Sequence, residues 1–128
     1  MKLHAASLST AHAVTGYGDR HVSIDGRELR RSLLLLPDHL DQDWGPDDFT
    51  ALAHAHLESL ATLRCDVLLL GTGNRQRFPS PALLRPLIEA GRNIEVMDTQ
   101  AACRTYNILM TEGRVVAAAL IIEISSAP

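Results

Sequence analysis

Apolar positions change their period near the middle of the chain. In the first third, residues 12–17 and 21–24, followed by the segment 29–36 with its four closing leucines, read as extended chain rather than helix. Asp25-Gly26 falls between two of these segments, and Asp-Gly flanked by extended runs predicts a tight hairpin. We read 29–36 as one returning strand that Pro37 terminates. Arg27, Arg30 and Arg31 accompany that strand and predict a solvated, edge-protecting face, with a partner surface as the alternative.

Residues 38–45 read as an acidic, turn-rich loop carrying Trp44, the only tryptophan, which either plugs a core edge or anchors a partner. After Pro46 the period becomes helical: Phe49, Leu52, Ala53, Leu57, Leu60 and Ala61 share a face, and Asp47 and Asp48 suit the first turn. This predicts an amphipathic helix over 47–63. The continuous apolar run 67–70 before Gly71-Thr72-Gly73 predicts a strand buried on both faces, then a turn. Ser80-Pro81 opens a helix with a Leu83, Leu84, Leu87 and Ile88 stripe, which Pro86 forces either to kink or to start late. A short strand over 94–97 follows. Asp98 or Thr99 caps a helix running to about Met110, with Gly113 just past its end. The run 115–122 closes as a buried strand, and Ala117, Ala118 and Ala119 admit close neighbours and place it at the sheet centre. The order β-β-β-α-β-α-β-α-β predicts one α/β domain over 1–128, its alternating half covering a sheet with helices.

Composition narrows the function classes. The chain has 128 residues and a net charge of −3 with a single lysine, Lys2, which argues against a nucleic-acid footprint. Its apolar runs are too short for membrane insertion. Cys65 and Cys103 fall inside regular elements without a signal peptide, so two free thiols in the cytoplasm are expected.

Ligands of open α/β sheets favour the crevice beyond the carboxyl ends of parallel strands. Two such ends are legible here, Gly71-Thr72-Gly73 with Arg75 and Arg77, and Asp98-Thr99 with Cys103, Arg104, Tyr106 and Asn107 on the following helix. The Gly-Thr-Gly turn fits either a tight backbone turn or an anion cradle, but it lacks the third glycine of a dinucleotide motif and the Gly-Lys of a phosphate loop. Asp98 at the helix start weakens the anion reading. Cys103 has Arg104 beside it and fits a packed thiol or an activated one. The six histidines, at positions 4, 12, 21, 39, 54 and 56, form no Cys/His signature. His54 and His56 are two apart and face different ways, so no metal and no cofactor is expected. Asp98, Arg104 and Asn107 also fit a buried polar network that fixes loop geometry.

Leu70-Gly71-Thr72-Gly73, Gln76-Arg77-Phe78-Pro79, Glu95-Val96-Met97-Asp98-Thr99 and Ala101-Ala102-Cys103-Arg104-Thr105-Tyr106-Asn107 occur in that order. Together they resemble the family called domain of unknown function 498, whose eukaryotic relatives include mitochondrial complex I assembly factor 3. The resemblance implies a compact three-layer α/β domain, a mixed sheet of about five strands between helices with an added N-terminal β-hairpin layer. It carries over no catalytic residue and no cofactor. What it carries over is a patch, mapping to Gly71, Thr72, Gly73, Asp98, Thr99, Cys103, Arg104, Tyr106 and Asn107. Pro86 departs from the family, interrupting a helix that it usually continues. The function expected is a non-catalytic binding or assembly-helper domain for respiratory or other membrane-associated complexes, with a protein partner that meets the crevice patch or the Trp44 loop. The alternative is a small enzyme or metabolite binder holding an anionic group at Gly71 to Gly73 and Arg104.

Overall fold

The computed structural model describes residues 10–124; His4 and Lys2 lie outside them. Strands β1 (Val14–Gly18), β2 (His21–Ile24) and β3 (Arg27–Leu29) form an antiparallel sheet in chain order. The β2–β3 turn is the expected Asp25-Gly26, with φ of 53° and 85°, the left-handed pair that a two-residue hairpin requires. Asp25 is held there by its own carboxylate, which accepts from Ala13 N at 3.0 Å and lies 2.6 Å from His12 Nδ1.

The larger sheet contains β4 (Leu33–Leu36), β5 (His39–Asp41), β6 (Val67–Gly71), β7 (Glu95–Met97) and β8 (Val116–Leu120), in the order β5-β4-β8-β6-β7. Strand β8 runs parallel to β6 and antiparallel to β4. It is buried along its whole length and central, as the alanine run predicts: Ala118 pairs with Leu35 on one side and Leu69 on the other.

Helices α1 (His54–Ala61) and α2 (Arg85–Glu89) cover one face of this sheet, where Leu34, Leu36, Leu68 and Leu70 meet Leu57, Leu60, Leu87 and Trp44. The other face carries Leu33, Leu35, Leu69 and Leu120, and packs on Tyr106 and Met110 of α3 (Thr99–Thr111) and on Val14, Val22 and Ile24 of the small sheet. The mixed α/β layering is therefore the expected one.

Three local expectations need correction, and the alternative left open at Pro86 resolves to a late start. The returning strand 29–36 is two strands in two different sheets. Ser32 makes the crossing: buried, its hydroxyl donates to Pro46 O at 2.6 Å and accepts from Ile122 N at 2.9 Å. The acidic loop contains β5, which pairs Leu40 with Leu35. The helix expected over 47–63 is a 3-10 turn, Phe49–Ala51, then α1. Asp48 caps the first by accepting from Ala51 N, the chain extends at Leu52 and Ala53, and His56 Nδ1 accepts from Ala53 N at 2.9 Å to start the second. The helix expected after Ser80 starts late, with Pro86 in its first turn where the missing N–H costs nothing, and leaves Ile88 exposed.

Candidate functional site

Strand β6 ends against the start of α3. At Gly71 a Cβ would lie 2.8 Å from Thr99 Cα, a collision with backbone that only glycine avoids. The Thr99 hydroxyl lies buried in this contact, accepting from Gly73 N at 2.8 Å and donating to Ile121 O at 2.7 Å. Thr72 is buried as well; its hydroxyl donates to Arg75 O at 2.7 Å and accepts from Arg77 N at 3.2 Å. Arg77 folds back over the turn, donating to Thr72 O at 2.8 Å and to Glu123 at 2.9 Å, with its guanidinium 4.9 Å from the centre of the Phe49 ring. Gly73, at φ 101°, has Glu123 and Arg77 where a side chain would go. The turn is thus filled from within: the N–H that an anion would need already donates to Thr99.

A second group lies along α3. Asp98 is its N-cap and accepts from Ala101 N at 2.9 Å. Cys103 is buried, and burial pushes its thiol up to about 12, against the opposing charge of Arg104. Arg104 is exposed and donates to the Tyr17 hydroxyl at 3.1 Å. The Tyr106 hydroxyl donates to His12 O at 2.7 Å, and burial raises this phenol above its ordinary range. Asn107 accepts from Val14 N at 2.9 Å and donates to Val14 O at 2.7 Å, so its amide occupies the place of a neighbouring strand beside β1.

The expected patch therefore divides in two. Gly71, Thr72, Gly73, Arg77 and Thr99 form one hydrogen-bonded cluster, whereas Tyr106, Asn107 and Arg104 reach the small sheet. Asp98 and Asn107 bind backbone, and Arg104, expected with them in a buried network, lies outside it at the surface. Arg75 is exposed and joins the cluster through its carbonyl alone. Sequence reasoning missed Glu123 and Phe49, which complete the Arg77 cluster, because they stand 46 and 28 positions from it with no local pattern to mark them.

Trp44, only 7% exposed, plugs the core edge, its indole N–H lying 3.1 Å from Ser59 Oγ and 3.2 Å from His56 O. It is not available as a surface anchor. Of the two helix histidines, His54 donates to Ala82 O at 2.8 Å, and His56 is half-buried, which lowers its proton affinity. Phe78, in the loop after the cluster, is 71% exposed. No helix among the described residues is long and apolar enough to cross a membrane.

Two sheets sharing α3, with a self-filled turn at the crevice, define a small mixed α/β domain of a kind already solved in Bordetella parapertussis. That crystal structure matches with a TM-score of 0.80 at 36% identity, over 89% of this chain and 98% of the other. The chain belongs to the family described as protein of unknown function DUF498/DUF598, whose family model matches residues 14–121. It is similar to a Xenopus tropicalis protein named NADH dehydrogenase (ubiquinone) 1 alpha subcomplex assembly factor 3, at 41% identity over 82% of this chain. A Francisella tularensis protein named 13 kDa major membrane protein is 31% identical over 59% of it. The chain spans 58% of the length of the first relative and 61% of the second.

Proposed function

We propose that this chain is a non-catalytic, cytoplasmic assembly helper that acts by protein contact on respiratory or other membrane-associated complexes. The observation that carries this reading is the commitment of the reactive groups of the crevice to the fold itself. A nucleophile at Cys103 would have to ionise from a thiol held near 12. An anion at the Gly71 to Gly73 turn would have to displace the Thr99 hydroxyl from Gly73 N. The groups exposed to a partner here are Arg75, Phe78 and Arg104, the last with its guanidinium on the Tyr17 hydroxyl. The name of the Xenopus relative supplies the class of partner, a multi-subunit NADH dehydrogenase.

The test is deletion of the chain from its own cell, with assembled NADH dehydrogenase read from native gels of the membranes. Assembly should fall, and wild type and Cys103→Ala should restore it equally. Normal assembly in the deletion strain would defeat the helper reading, and restoration by wild type alone, with Cys103→Ala folded, would defeat the non-catalytic one.

A further inference from the structure

Helix α1 begins on an unusual cap. Its N-cap residue, Ala53, has no side-chain acceptor to offer, and the turn is closed instead from three residues on, where His56 Nδ1 accepts from Ala53 N at 2.9 Å. An imidazole thus holds the place that Glu or Gln takes in a capping box. Unlike either, it accepts only while it is neutral. The backbone of the same residue holds the tryptophan. His56 O accepts from the Trp44 indole N–H at 3.2 Å and from the Ser59 hydroxyl at 2.6 Å, and that hydroxyl lies 3.1 Å from the indole nitrogen. The two rings meet edge to face, with centres 5.7 Å apart and planes at 64°. We propose that His56 and Trp44 form an acid-operated catch, closed at neutral pH, that releases the Trp44 indole when His56 takes up a proton.

Three costs oppose a proton in the closed form. The acceptor for Ala53 N is lost, a charge appears in a half-buried place, and that charge is a cation at the positive end of the helix dipole. No neighbouring charge offsets them. The titratable groups on the surrounding elements are His54 and Glu58 of α1, Asp43, Asp47 and Asp48 along the preceding loop and 3-10 turn, and Arg85 and Glu89 of α2, yet burial alone accounts for the lowered proton affinity of His56. In an opened first turn the ring is solvated and binds protons normally, so acid favours the open form. An eight-residue helix cannot keep its start without tertiary support. The indole N–H has no partner outside this turn among the described residues, so it is freed with it. Trp44, 7% exposed in the closed form, would then be offered in acid as the aromatic anchor that neutral pH withholds. Nothing in this catch depends on the helper reading.

The experiment is hydrogen exchange of the Trp44 indole N–H in the full chain, followed by NMR from about pH 8 down to about 5 and corrected for intrinsic rate. Between about pH 6.5, the open-form value, and the lower closed-form value, the open population should rise by about tenfold per unit, and the indole exchange with it. At every pH the indole should exchange through an opening easier than that of the β8 amides. His56→Gln, which accepts from Ala53 N whatever the pH, should remove the acceleration. A corrected rate that is flat across the range would overturn the proposal, as would an indole that opens only together with β8. An equal acceleration in His56→Gln would overturn it too.

Discussion

Thr99 shows how one hydroxyl can hold a turn. Its oxygen both accepts and donates inside the fold, and the isosteric Thr99→Val removes both bonds while keeping the volume. Each group left unpaired costs about 1–3 kcal/mol. Thermal denaturation should therefore show Tm lowered by roughly 5 °C or more for a chain of this size. Gly71→Ala should be worse, since its new methyl meets backbone rather than a movable side chain; we expect little soluble protein. Arg104→Met, by contrast, removes one exposed hydrogen bond and should leave Tm nearly unchanged. Cys103 should resist iodoacetamide at neutral pH in the folded chain and react after denaturation, as labelling followed by mass spectrometry would show.

Single elements are held by contacts of very different reach. Strand β1 is clamped by Asn107, 93 positions away, so Asn107→Leu should expose the Val14 amide to exchange before the rest of the sheet opens. Helix α1 starts on an imidazole that must be neutral to accept from Ala53 N. Because burial lowers its proton affinity, His56 binds fewer protons folded than unfolded, so stability rises with pH. That contribution is full above about pH 6.5, the unfolded value, and is lost as pH falls from there through the lower folded one. Urea denaturation at pH 5 and 8 should show a smaller difference for His56→Gln than for wild type. The legible elements were those with local causes: the Asp-Gly hairpin, the apolar run of β6, the Asp98 cap and the alanines of β8. The break between β3 and β4 was not legible, because Ser32 finds its partners 14 and 90 residues away. Strand β5 was hidden by its brevity, and α1 by an apolar spacing that a 3-10 turn followed by a helix satisfies equally well. Of the crevice, the residues were legible and their commitments were not, since Glu123 and Phe49 close the cluster from outside any motif.

At the scale of the molecule, β8 joins two parts that otherwise do not pair. Strands β4 and β5 lie on one side of it and β6 and β7 on the other, with no pairing between the two sides. The central strand is also the last of the eight among the described residues, and this sets an order of events during synthesis. The β2–β3 hairpin can close as soon as residue 29 emerges, but β4 must wait with one edge unpaired until residue 120 has appeared. Folding of the large sheet is consequently a late, long-range step, of the kind that slows folding and exposes unpaired edges meanwhile. A ribosome stalled before Val116 would carry a chain with a finished hairpin and two sticky half-sheets, a natural client for a chaperone.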